Sequence, residues 1–190
     1  MKARENPFAS RHVERVRFRL PGLTWDELIV RSEALGHRAA IVGPKGHGKT
    51  TLLDGLEPHL RERGFDVLRL HLTEESPRLP RTELVALRAA ITSRHIVLID
   101  GAEQMNWWRW QQFLRVVASA AGLIITTHRA GRLPTLFQCE TNPSLLQALM
   151  DELLPNSSPG LPAAEELFHR HRGNVRDALR ELYDRCAVLA

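Results

Sequence analysis

The chain has 190 residues, of which 43% are hydrophobic and 25% charged, and its formal net charge is +4. That length and balance suit one domain with a real core and room for a small appendage, and no apolar run approaches the ~18 residues of a membrane span. The two cysteines, Cys139 and Cys186, are too few for a disulfide framework, and the nine histidines show no ligand spacing, so neither staples nor a zinc site are expected. The N-terminus lacks the apolar stretch of a secretory signal, which makes a reducing cytoplasm the expected location.

The positive charge is concentrated at the start. Residues 1–20 hold six basic side chains (Lys2, Arg4, Arg11, Arg15, Arg17, Arg19) against Glu5 and Glu14, so the remainder is balanced. Val16, Phe18 and Leu20 alternate with Arg15, Arg17 and Arg19. This period of two predicts a half-buried strand with three arginines on its wet face. Such a stripe suits DNA or an acidic partner, and equally a charged edge that discourages strand pairing.

Thr24 and Glu27 form a capping-box pattern that opens a helix through about Leu35, with Trp25, Leu28, Ile29 and Leu35 inward. Arg38–Val42 reads as a buried strand, and Thr51–Leu56 opens a helix ending near Gly64. Phe65–Leu72 alternates as a second strand. A proline-containing loop follows, and Thr82 is placed to cap a helix through about Ser93. Ile96–Asp100 is a continuous apolar run closed by an aspartate, as in strands buried on both faces. Asn106 caps a helix to about Ala120, with Trp107, Trp110, Leu114 and Val117 on its inner face and Trp108 pointing elsewhere. Leu123–Thr127 is another buried strand and Pro134–Glu140 a weaker fifth. Asn142-Pro143 opens a helix, residues 155–162 look like a hinge, and two helical pieces (163–170 and 174–187) close the chain. Alternating strands and helices imply an α/β fold on a parallel sheet, with ligands at the carboxyl ends of the strands.

Gly43 to Thr50 reads Gly-Pro-Lys-Gly-His-Gly-Lys-Thr and matches the phosphate-binding pattern G-x-x-x-x-G-K-[ST] between a strand and a helix. Glycines at 43, 46 and 48 let the backbone approach a phosphate chain, and its N–H groups form an anion nest at a helix N-terminus. Gly43, Pro44, Lys45, Gly46, His47, Gly48, Lys49, Thr50 and Thr51 are the candidate nucleotide-binding set. Lys49 is placed to reach the β/γ-phosphates, and Thr50 with the strand-terminal Asp100 to hold Mg²⁺. Glu103 is the nearest carboxylate for orienting water. Among the residues leaving the next strand, Thr127 and His128 rank above Thr126 as readers of a γ-phosphate. Arg129 and Arg132 follow in the same loop, where one arginine can stabilise transition-state charge. Gly173-Asn174-Val175-Arg176 ends one helix and caps the next, and a cation at Arg176 gains nothing from that helix dipole, so a phosphate-facing role would explain it.

Taken together these segments resemble the AAA+ superfamily of ATPases. Gly43–Thr50 is similar to Walker A, Ile96–Asp100 to Walker B, Thr127-His128 to the sensor-1 position and Gly173–Arg176 to sensor 2. Asn6-Pro7-Phe8 is similar to the start of modules in the origin-recognition and transposition-helper branches. The resemblance implies a three-layer α/β/α P-loop NTPase core at residues 1–140 with a basic N-terminal arm. It also implies a five-stranded parallel sheet of order 5-1-4-3-2 and a short helical lid at 141–190. ATP and Mg²⁺ are the implied cofactors, ATP hydrolysis to ADP and phosphate the implied activity, and a homo-oligomer or partner protein the implied company. Gly101 stands where that family usually carries a glutamate after the Walker B aspartate, which implies slow hydrolysis. The rival readings are a nucleotide-gated module on DNA or protein, using the N-terminal arginines, and a small nucleotide kinase.

Overall fold

The computed structural model describes residues 6–154 and 161–188. In chain order its helices are α1 (Ser10–Val13), α2 (Trp25–Ala34), α3 (Lys49–Glu62), α4 (Arg81–Ala90), α5 (Trp107–Val116), α6 (Pro143–Leu153), α7 (Ala164–Arg170) and α8 (Val175–Val188). By internal contacts the chain forms two units. One comprises Arg19–Gly43 and Leu52–Gln138, the other Met1–Phe18, Pro44–Thr51 and Cys139–Ala190.

The first unit is built on a sheet of β1 (Arg38–Val42), β2 (Asp66–His71), β3 (His95–Asp100), β4 (Gly122–Thr127) and β5 (Thr135–Gln138). All neighbouring pairs are parallel. The order is β2-β3-β4-β1-β5, which counted from the other edge is 5-1-4-3-2. β4 is buried along its whole length, and β3 along all but its first residue, so both need apolar residues at successive positions. The odd-numbered Val97, Ile99, Leu123 and Ile125 pack with Trp110, Phe113 and Val117 on one face. Successive strand residues point to opposite faces, so Ile96, Leu98 and Ile124 face the other way. That leaves Leu28 and Ile29 of α2 and Leu52, Leu53, Leu56 and Leu60 of α3, all fully buried or nearly so, to form the second helical layer. Thr24 caps α2 as its sequence predicts: its Oγ1 accepts the Glu27 N–H at 3.2 Å, and its own N–H donates to the Glu27 carboxylate at 2.8 Å.

The second unit is held by a separate core. Phe8 packs with Leu146, Ala164, Leu167, Val175, Ala178, Leu179 and Leu182. Asn6 donates to the Tyr183 carbonyl at 2.8 Å. A division at 140/141 puts the N-terminal arm and the glycine loop with the sheet, yet by contacts both group with the C-terminal helices. For the arm the cause is Phe8, whose large ring finds its apolar partners on α6, α7 and α8; the loop is met by Asn174 and Thr141.

Four expectations need correction. No strand forms at Arg15–Leu20; the chain turns after α1 and then runs on without a ladder. The alternation is nevertheless real, since Val16 is buried, Phe18 and Leu20 partly so, and Arg15, Arg17 and Arg19 are exposed. Period two reports which side faces in, and it cannot report whether a neighbouring strand is there to pair. Thr82 does not cap α4: the helix starts one residue earlier, after an extended Pro80 that accepts the Leu84 N–H. α5 ends at Val116 rather than near Ala120. Trp107 is 60% exposed, not inward. Residues 155–160 of the expected hinge lie outside the described residues.

Candidate functional site

The carboxyl tips of β3 and β4 carry a polar network. Thr126 Oγ1 donates to Asp100 Oδ1 at 2.6 Å and accepts the Gly101 N–H at 2.8 Å. Asp100 Oδ2 lies 3.3 Å from His71 Nδ1 at the tip of β2, where the register sets His71 opposite Asp100. Asp100 and Thr126 are 5% and 1% exposed, and a buried carboxylate must be hydrogen-bonded to be tolerable. Thr126, ranked below its two successors from sequence, is thus the residue joined to Asp100. Thr127 Oγ1 instead donates to the Arg129 carbonyl at 3.2 Å and serves the loop.

Gly101 has a local reason. Its φ is +86°, and an added Cβ would collide with the Leu72 carbonyl. Only glycine makes that turn without strain. A glutamate there is sterically excluded, and the nearest carboxylate, Glu103, arrives in a single 3₁₀ turn, Ala102–Gln104. Its Oε1 lies 3.1 Å from His128 Nε2, while its Oε2 is buried with no protein partner. Glu103, Thr127, His128, Arg129 and Arg132 line an open cavity of about 510 Å³. Arg132 is fixed beside it, donating to the Met105 carbonyl and lying 5.2 Å from the centre of the Trp110 ring. Burial lowers the Arg132 pKa against the opposing charge of Glu103. Sequence reasoning missed His71 and the anchoring of Arg132. The first follows only from strand register, the second from a contact between segments 22 residues apart in the chain.

In the other unit the glycine loop Pro44–Thr51 has its own neighbours. Gly46 and Gly48 adopt φ of +80° and +77°. The Asn174 amide occupies the space a Cβ on Gly46 would need, and the Phe18 ring lies against Gly48. Asn174 also caps α8 by accepting the Asp177 N–H at 3.1 Å. His47 Nδ1 lies 3.3 Å from Thr141 Oγ1, which donates to the Gly173 carbonyl at 2.8 Å. Burial lowers the His47 pKa, with Lys49 adding to the effect and the Cys139 backbone and Glu140 opposing it. Burial pushes the Cys139 thiol up to about 12 despite the nearby Lys49 charge. Lys49 is 8% exposed, and its Nζ donates to the loop's own Pro44 carbonyl at 2.8 Å. Lys45 is exposed and Thr50 and Thr51 half-buried, while Arg176 lies exposed on the first turn of α8.

The residues fit the nucleotide their pattern implies. A buried ammonium in a loop with two left-handed glycines is the donor set a phosphate chain requires. The hydroxyl following the lysine suits Mg²⁺, which keeps most of its ligands as water and phosphate oxygen. No group of three or more His, Cys, Asp or Glu that could bind a metal unaided occurs among the described residues.

No protein-family model matches the chain. Its fold is shared with the RuvB Holliday junction branch migration motor of Thermotoga maritima. That match has TM-score 0.54 and 18% identity over 83% of this chain and 58% of RuvB. The replication initiator DnaA bound to AMPPCP and single-stranded DNA matches with TM-score 0.59 and 15% identity over 82% of this chain and 58% of that one. In sequence, 99 residues are 42% identical to the thymidylate kinase of Geobacillus thermodenitrificans, covering 50% of this chain and 42% of the kinase. The chain therefore spans well under two thirds of each of these proteins. What these structures share with the chain is the fold, a five-stranded parallel sheet with helices around it.

Proposed function

We propose that the chain binds ATP with Mg²⁺ and hydrolyses it slowly to ADP and phosphate, as an AAA+-type motor or switch acting on a partner. One observation carries the reading. Gly43, the first residue of the glycine loop, donates its N–H to the Thr127 carbonyl at 3.1 Å, so the loop leaves β1 on the edge where β3 ends in Asp100 and β4 in Thr127. In this reading the backbone of residues 43–48 holds the phosphates, Lys49 neutralises their charge, and Thr50 and Asp100 hold the metal. Bound Mg²⁺ supplies charge neutralisation on the phosphate oxygens. Thr126 fixes the Asp100 carboxylate through Oδ1, and Oδ2 lies beside His71. His128 orients Glu103, whose Oε2 is buried without a protein partner and has to turn outward before it can accept a proton from water. Thr127 or His128 senses the terminal phosphate, and Arg176 reports nucleotide state to the C-terminal helices. The absence of a glutamate at 101 supports a low turnover. The chain has no helix, among the described residues, long and apolar enough to cross a membrane, and a cytoplasmic place suits the proposal. DNA is a candidate target, since the two structural neighbours are a Holliday junction branch migration motor and a replication initiator bound to single-stranded DNA.

The test is purified protein with ATP and Mg²⁺, with released phosphate and nucleotide affinity measured together. Lys49→Ala is expected to reduce ATP affinity by at least 100-fold, from loss of a charge-assisted contact worth about 3 kcal/mol. Unchanged affinity in that variant would remove the site assignment. The similarity to thymidylate kinase favours a second reading, phosphoryl transfer to a nucleoside monophosphate. Phosphate release without acceptor supports hydrolysis; ADP formed only when thymidine monophosphate is added supports transfer.

A further inference from the structure

Helix α5 presents two kinds of aromatic residue. Trp110 and Phe113 lie in the core, 5% and 2% exposed, whereas Trp107 and Trp108 are 60% and 76% exposed. The two outer indoles meet edge to face, with centroids 4.6 Å apart and planes at 82°. The buried pair already anchors the helix, so folding does not explain the outer pair. At 100° per residue, Trp108, Gln112 and Arg115 (i, i+4, i+7) share one stripe about 10 Å long. All three are exposed, and Gln111 flanks them. The helix carries Arg109 and Arg115 and no acidic residue. Beyond the indoles the stripe is amide and guanidinium rather than aliphatic, which is poor chemistry for an apolar protein partner. It suits bases and phosphates.

The geometry points to this face as a platform for single-stranded nucleic acid. Unpaired bases stack on Trp107 and Trp108, Gln112 reaches a base edge, and Arg115 neutralises a phosphate. A duplex keeps its base faces closed and offers the indoles little. This inference uses neither the nucleotide loop nor the N-terminal arginines, so it stands or falls apart from the ATPase reading.

Fluorescein-labelled oligothymidylate, oligouridylate and a duplex of equal length, titrated with the full chain in low salt and followed by anisotropy, provide the test. At least one single strand is expected to bind more tightly than the duplex. Replacing both indoles (Trp107→Ala with Trp108→Ala) is expected to weaken that binding by 10-fold or more. Arg115→Gln is expected to weaken it several-fold and to reduce the salt slope by about one. Trp108→Phe is expected to retain most of the affinity, because stacking needs a ring rather than an indole. Unchanged melting temperature and ATP affinity in these variants separate lost contact from lost fold. The proposal fails if no strand binds, if the duplex binds as tightly, or if binding survives without both indoles. It also fails if sedimentation shows that their loss instead dissolves a self-association of the chain.

Discussion

The tips of β3 and β4 flank α5 in sequence, β3 ending at Asp100 before it and β4 at Thr127 after it, and they are opposite in character to its first turn. At the tips, Asp100, Thr126, Gly101 and His71 satisfy one another, and Glu103 pairs with His128. At the start of α5, two indoles touch each other and then water. Buried polar groups must be paired whether or not a ligand ever arrives, so the pairs around Asp100 are required by folding alone, although Glu103 Oε2 stays buried without a partner. Exposed indoles are required by nothing inside the molecule. The tips therefore need a chemical test before they count as a site, while the indoles already call for a partner.

The sharpest way to break this contrast is to shorten the buried and exposed rings of one helix. Trp110→Ala is expected to destabilise the fold by about 3–5 kcal/mol in urea unfolding, because it opens a core cavity and removes the ring beside Arg132. Trp108→Ala is expected to stay within about 0.5 kcal/mol of the parent. Equal losses would show that the outer ring is structural. Next in size is Gly101→Glu. A left-handed turn beside the Leu72 carbonyl should cost about 3 kcal/mol or more and lower the melting temperature without raising ATP turnover. A gain in turnover from that variant would show that the turn accommodates a side chain after all. Thr126→Val removes a hydroxyl that serves both Asp100 and the Gly101 N–H and should cost about 2 kcal/mol. A stability loss confined to the nucleotide-bound state would instead give Thr126 a ligand role.

The smallest expected effect is a pH dependence in the sheet unit. Burial lowers the His37 pKa, with Glu33 opposing, and its Nδ1 lies 3.0 Å from Ser32 Oγ. The unfolded chain then binds a proton more readily than the folded one. The contribution of His37 is therefore whole above about pH 6.5 and is lost as pH falls through the lower folded value. His37→Asn tolerates the left-handed backbone (φ +51°) and should flatten the stability profile on the acid side of neutrality. An unaltered profile would assign the acid sensitivity elsewhere.

Much of the sheet was legible from the chain because its signals are local. Four apolar runs, the capping box at Thr24 and the caps at Asn106 and Asn142 each depend on neighbours within a few residues. The glycine pattern at 43–50 was legible for the same reason: φ above zero is a property of single positions. The polar network was legible only in part. Asp100 announces itself by ending an apolar run, but its partners Thr126 and His71 are assigned by parallel register across three strands. Gly101 looked like a missing glutamate until the Leu72 carbonyl stood in the way.

Sequence by itself determined the order of elements, the glycine loop and the aspartate at the strand tip, since periodicity, capping and backbone freedom act over one or two turns of chain. Tertiary structure alone decided that Phe8 joins the C-terminal helices, that the arginine-striped segment finds no strand to pair with, and that Trp107 faces water. Those outcomes depend on which distant surfaces compete for the same side chain, and pattern along one strand or helix carries no record of that competition.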